Sequence, residues 1–245
     1  ILLAYHTRRP VKIEFDRTEE FIATSTRQPT ITTISQGCDR NGKLLFRDVK
    51  MILDNGAYTS WGATTPSVMM MPITTLYRVP NVRYEATCVY TNNTYSQAMR
   101  GYGNPQATFA IESTIDMLAE AAGIDPLEFR RINANQPGDV STQGLRITTC
   151  GLTECMEAVK TQLGWKQPRS PGEGVGIASL IHVGGGARVY KSDGCGAMLK
   201  MDDFGKVDVF SGATDMGQGS DTVIAQIVAE ELGLNIEDIH VIHSD

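Results

Sequence analysis

The chain has 245 residues, a formal net charge of −6, and 41% apolar and 20% charged residues. That length can bury a substantial core, as one large domain or two smaller ones, and the composition is that of an ordinary globular protein. An acidic chain with no concentrated basic surface argues against nucleic acid as a partner, and no apolar run approaches the roughly 20 residues of a membrane span.

The chain opens at Ile1 within an apolar pattern and closes at Asp245 after a strand-like run. Both ends read as cuts through a continuing fold, so a larger polypeptide is expected. Val11–Phe15 alternates apolar and polar residues, as a half-buried strand does. Residues 30–36 and 43–53 are predicted strands around Cys38-Asp39-Arg40-Asn41-Gly42, whose Asn-Gly step signals a hairpin. Residues 81–90 form the next strand. A helix begins near Pro105, with Ile111, Ile115, Leu118 and Ala122 on one face, and stops at Gly123. Asp125-Pro126-Leu127-Glu128 has the form of a capping box opening a second helix, and a third spans about 153–163.

Residues 167–174, Gln-Pro-Arg-Ser-Pro-Gly-Glu-Gly, are the best linker candidate. Beyond it, 175–182, 195–201 and 206–210 read as strands, and 220–232 as a helix stopped by Gly233. Strands mixed with helices indicate an α+β fold of two mixed α/β subdomains, 1–166 and 175–245.

Cys38, Cys88, Cys150, Cys155 and Cys195 contain no Cys-x-x-Cys pair. This fits a reducing cytoplasm, with no disulfide framework and no zinc or iron–sulfur site built from this chain alone. The four histidines form no ligand set. His240 and His243 lie three apart in a strand-like run, so they point to opposite faces and read as surface or packing residues.

The richest chemistry lies in two glycine turns. Gln97-Ala98-Met99-Arg100-Gly101-Tyr102-Gly103-Asn104-Pro105-Gln106 and Asp215-Met216-Gly217-Gln218-Gly219 each set one long hydrogen-bonding side chain among glycines, directly before a helix. Glycine lets a flat ligand approach the backbone, and a helix start offers unpaired N–H groups to an anion. Arginine adds a planar fork of donors suited to charged oxygens. The two turns read as two walls of a slot for a large, anionic, oxygen-rich cofactor.

These motifs resemble the Arg-Gly-aromatic-Gly-x-Pro-Gln and Met-Gly-Gln-Gly segments of the xanthine dehydrogenase/aldehyde oxidase family of molybdenum hydroxylases, in the large subunit. Tyr77-Arg78-Val79-Pro80-Asn81-Val82-Arg83, the Asp125-Pro126 helix start and the opening segment are similar too, in the same order, over nearly the whole chain. Asn92-Asn93-Thr94-Tyr95, with Ala98-Met99, is most similar to the 4-hydroxybenzoyl-CoA reductase branch.

The resemblance implies a molybdopterin cofactor carrying molybdenum, in its cytosine dinucleotide form, held by Arg100, Gly101, Gly217, Gln218 and Gly219. Tyr102 and Val68 would border the substrate pocket. No residue here would ligate the metal directly. The family's glutamate general base lies outside this chain, so no catalytic residue is assigned within it. Iron–sulfur and flavin groups would sit on partner subunits or domains, in a hetero-oligomer acting on a small aromatic, heterocyclic or aldehyde substrate.

Where purine-oxidising members carry a charged residue, Ser67-Val68-Met69-Met70-Met71 is apolar, which puts xanthine in doubt and favours a less polar substrate unless the run is core filler. Simpler readings stand beside these. Arg100 could tie down a loop, Asp215 could be a turn residue, Gly184-Gly185-Gly186 could be a plain loop, and Glu112 and Glu120 are expected to be solvated. The alternative function is a non-catalytic assembly or binding domain that keeps the fold without the cofactor.

Overall fold

The computed structural model describes residues 1–182 and 194–243. Strands β1 (Thr30–Cys38) and β2 (Leu44–Gly56) form an antiparallel hairpin, and β3 (Val82–Tyr90) lies parallel to β2 on its other side. The hairpin turns at the Asn41-Gly42 step, where the Asp39 carboxylate accepts from the N–H groups of Asn41 and Lys43, at 2.9 Å each. Along β2, Val49, Met51 and Leu53 are buried while Lys50 and Ile52 face outward, the period of two that a sheet covered on one face requires.

The return from β2 to β3 runs through a 3-10 turn (Trp61–Thr64) and helix α3 (Thr65–Thr75), which sequence patterning did not predict. Its buried residues include Val68, Met69, Pro72, Ile73, Thr74 and Thr75. A helix apolar on most sides carries no readable stripe.

Helix α4 (Asn104–Ala122) packs against β1 and α3 and stops at Gly123, which is left-handed. Ile111 and Ile115 are inside as expected. The inner stripe continues through Ala107 and Ala119, whereas Ala122 is exposed. Helix α5 (Pro126–Asn133) is capped by Asp125, which accepts from the N–H groups of Leu127 and Glu128 at 3.0 and 3.1 Å. Glu128 turns to Arg131 instead of closing a capping box. Helix α6 (Leu152–Leu163) ends at the left-handed Gly164.

Two expected strands fail here for physical reasons. Residues 11–15 are irregular and exposed, between α1 (Leu2–Thr7) and α2 (Arg17–Ala23), neither of which buries a residue. An alternating pattern makes a strand only where a neighbour completes its hydrogen bonds, and among the described residues none does. Residues 175–182 are likewise irregular, because they seat on other groups: the Ser179 N–H donates to Glu112 at 3.0 Å, and Ile181 packs against the core.

Glu112 itself is not solvated. It is 5% exposed, and its carboxylate receives Arg130 Nε at 2.8 Å and the Tyr77 hydroxyl at 2.6 Å besides Ser179. Burial alone would lower the Arg130 pKa, but the Glu112 charge beside it raises it above its ordinary value. Arg47, also buried, donates to the Ile73 carbonyl at 2.7 Å, and burial brings its pKa down to about 10.

The remaining elements are β4 (Ala197–Met201), β5 (Val207–Ser211), α7 (Ser220–Leu232), a 3-10 turn (Ile236–Asp238) and β6 (Ile239–His243). β4 is antiparallel and β6 parallel to β5, repeating the pairing scheme of the first sheet. Val207, Val209 and Val228 form its small core. The contacts divide the chain into two compact units, Ile1–Val183 and Gly184–Asp245. The Pro/Gly-rich stretch at 167–174 lies inside the first, because residues 179–182 return to its core. The fold is therefore α+β with two three-stranded sheets. No helix among the described residues is long and apolar enough to cross a membrane.

Candidate functional site

The Arg100 turn belongs to the first unit, between β3 and α4. Gly101, Tyr102 and Gly103 take φ of 91°, 34° and 82°, three successive residues in the left-handed region. A Cβ on Gly101 would lie 2.7 Å from Pro105 Cγ, and one on Gly103 would lie 3.0 Å from Met69 Cγ, so glycine is required for space as well as for φ.

The turn is held from several sides. Arg27 donates to the Arg100 carbonyl at 2.6 Å, and the Gln97 amide bonds Ser25 at 2.5 Å and accepts from Ser60 at 3.0 Å. The Tyr102 hydroxyl donates to the Trp61 carbonyl at 2.7 Å and also meets the Thr64 hydroxyl. Asn104 Nδ2 donates to the Gly101 carbonyl at 2.7 Å. Burial lowers the Arg27 pKa from its ordinary value.

Against this bracing, the Arg100 side chain is exposed and its guanidinium has no hydrogen-bond or ionic partner among the described residues. Among the described residues the side chain does not tie down the loop; the Arg100 carbonyl does, with Arg27 as the donor. Val68 is buried at 7% in α3 and Met69 fully so, while Ser67 and Met70 are exposed and Met71 is half-buried, so the run is core packing only at Val68 and Met69.

The second turn lies between β5 and α7, in the other unit. Gly217 and Gly219 take φ of 101° and 79°, and a Cβ on Gly219 would meet nothing within 4 Å, so the backbone there is open to approach. Helix α7 starts at Gly219 without a side-chain cap. Asp215 is a turn residue: its carboxylate accepts from the Gly217 N–H at 2.5 Å, and that bond, first among several from the turn backbone, lowers its pKa. Gln218 is exposed, and in this conformation its amide serves its own loop, accepting from the Met216 N–H at 2.6 Å and donating to the Thr214 carbonyl at 2.8 Å.

His240 and His243 pair with Asp208 and Asp221 at 3.1 and 3.0 Å, in line with packing roles. All five cysteines are free. Gly184-Gly185-Gly186 lies outside the described residues. Sequence reasoning missed Arg27, Asn104 and His182, which support the first turn. Only Asn104 had a local signal, at the variable position inside the motif.

Each turn by itself offers donors that suit an anionic, oxygen-rich group: the first a guanidinium that no described residue binds, the second a backbone open at Gly219. Comparison with known proteins agrees. Two family models described as molybdopterin cofactor-binding domain match residues 1–134 and 154–245. The chain belongs to the molybdopterin-binding large-subunit family of the xanthine dehydrogenase/aldehyde oxidoreductase enzymes.

It is 38% identical over its full length to a probable xanthine dehydrogenase component of Bacillus subtilis, covering 33% of that protein. It is 37% identical to a xanthine dehydrogenase molybdenum-binding subunit of Escherichia coli O157:H7, with 95% of this chain and 32% of that one aligned. Among solved structures, the aldehyde oxidoreductase from Desulfovibrio gigas superposes with a TM-score of 0.76 at 27% identity, over 98% of this chain and 27% of that one. The chain thus spans about a third of the length of the curated relatives it matches.

Proposed function

We propose that this chain is the cofactor-holding part of a molybdenum hydroxylase-type oxidoreductase that acts on an aromatic, heterocyclic or aldehyde substrate. The observation that carries the reading is the Arg100 turn, a rigidly braced loop presenting a guanidinium that no described residue binds. Preorganised donors of this kind stabilise charge without rearranging during the reaction.

In this reading Arg100, Gly101, Gly217, Gln218 and Gly219 hold a molybdopterin in its cytosine dinucleotide form. The bound cofactor supplies the redox chemistry at molybdenum. Tyr102 would face the substrate with its ring while its hydroxyl stays tied to Trp61. Relatives are named for xanthine, nicotinate and aldehyde, which supports the substrate class. Purines stay within it, since relatives are named for xanthine dehydrogenase, and Val68 would border the substrate pocket beside Tyr102.

The general base and the iron–sulfur and flavin groups would come from other parts of a cytoplasmic hetero-oligomer. The subunit names of the relatives support the assembly, and the free cysteines support the compartment.

The test is molybdenum content and turnover of the complete polypeptide, with Arg100→Lys and Gln218→Ala. Arg100→Lys keeps the charge, and no described residue depends on the lost fork, so yield and Tm should match wild type. Turnover should drop by on the order of 10²–10³, the usual effect of removing one preorganised donor. Full loading with wild-type rates in a variant would remove that residue from the site. A folded wild-type protein that binds no molybdenum would favour the non-catalytic alternative.

A further inference from the structure

Asn104 occupies the first position of α4 and is 2% exposed. One hydrogen of its amide goes to the Gly101 carbonyl at 2.7 Å, and Nδ2 lies 2.7 Å from Nδ1 of His182. Turning the amide over would set its oxygen against the Gly101 carbonyl, two acceptors face to face, so the orientation is determined. His182 Nδ1 is therefore the acceptor, and the ring proton sits on Nε2. The buried Asn104 Oδ1 has no donor among the described residues, so the amide is retained for what its NH2 group does.

His182 reaches this place by two anchors just before it in the chain. The Ser179 N–H is held by the Glu112 carboxylate at 3.0 Å, and Ile181 packs on the core. On the far side, the Gly101 carbonyl also accepts from the Asn104 N–H at 3.0 Å, and the N–H of the same peptide, on Tyr102, reaches the Met99 carbonyl at 2.6 Å. The peptide between Gly101 and Tyr102 is thus fixed at both ends, directly beside Arg100.

We infer that Asn104 and His182 are positioning residues for the Arg100 turn: the His182 ring holds the Asn104 amide, which holds the Gly101 carbonyl and with it the direction of the Arg100 guanidinium. The inference rests on the proposed reading that this turn serves the cofactor, and its test separates the two. The segment 179–182 then acts as a strap from the buried Glu112 cluster to the turn.

The experiment uses the complete polypeptide. In wild type, isotope-labelled histidine should show His182 with Nδ1 unprotonated and Nε2 protonated at neutral pH. Hydrogen exchange of residues 97–103 should quicken on the order of tenfold in His182→Ala, the effect of losing one hydrogen bond, with β1, β2 and β3 unchanged. His182→Gln, whose side-chain oxygen can accept from Asn104, should restore protection, and molybdenum content should follow the same order.

A proton on Nδ1 in wild type overturns the inference. So does wild-type exchange in His182→Ala, or a His182→Gln variant that exchanges as fast as His182→Ala. If the exchange order holds while molybdenum content is equal in all three proteins, the relay stands and the cofactor reading of the turn fails.

Discussion

Glu112 shows how one residue can change meaning between sequence and structure. A glutamate within an amphipathic helix is ordinarily solvated, yet here its carboxylate is the shared acceptor for Arg130, Tyr77 and Ser179. Arg130 has a fully buried side chain, and although Asp116 contacts it at 2.7 Å, that partner is half exposed. Glu112→Ala should therefore cost about 3–5 kcal/mol, because it leaves a buried charge without its main partner. Chemical denaturation checks this, and a loss below about 1 kcal/mol would contradict it.

The same cluster sets an alkaline limit. Burial, followed by the adjacent Glu112 charge, pushes the Tyr77 phenol well above its ordinary 10.0, and burial does the same to Tyr84. Folded protein holds these protons more tightly than unfolded chain, so the stabilisation is complete below about pH 10 and is lost as pH rises from there toward the folded values. Tm measured against pH should be flat up to about pH 9 and fall above about pH 10. Spectroscopic titration should show both phenols ionising only with unfolding.

Among the elements, the end of β2 has the least tolerance. Gly56 has φ 74°, and a Cβ there would lie 2.4 Å from the Thr94 carbonyl oxygen and 2.5 Å from Tyr95 Cα. Both are backbone atoms of the segment leading from β3 to the Arg100 turn, so no side chain can move aside. Gly123, at the end of α4, has φ 67° with open space around it. Gly123→Ala should cost about 1 kcal/mol from the left-handed backbone alone. Gly56→Ala should cost several times that and loosen the Arg100 turn as well. Equal Tm values for the two variants would show that the approach at Gly56 is easily relieved.

At the scale of the molecule, apolar surface is the outstanding feature. Leu2, Leu3, Tyr5, Ile13, Phe21 and Ile22 are each more than half exposed, in a stretch whose two helices bury nothing. Phe109 and Phe204 are more exposed still. Apolar side chains left exposed in this number along one stretch favour contact with other protein. The purified 245-residue chain should bind hydrophobic dyes strongly and self-associate. A dye-silent, monodisperse monomer with one sharp unfolding transition would show that these residues find cover within the chain.

The sequence by itself determined what depends on neighbours along the chain. The Asn41-Gly42 hairpin, the Asp125 cap, the stops at Gly123, Gly164 and Gly233, and the two glycine turns are local, since φ preference and capping act within a few residues. The chemistry of the candidate site was legible for the same reason, each turn being one contiguous motif. Only the tertiary structure decided which alternating segments found strand partners, so residues 11–15 and 175–182 were misread as strands. It alone showed that Met69 is core and Glu112 buried, and that Arg27 and His182 brace a turn more than 70 residues away in sequence. Burial and partnership are properties of segments brought together by folding, and no local pattern encodes which distant segment will arrive.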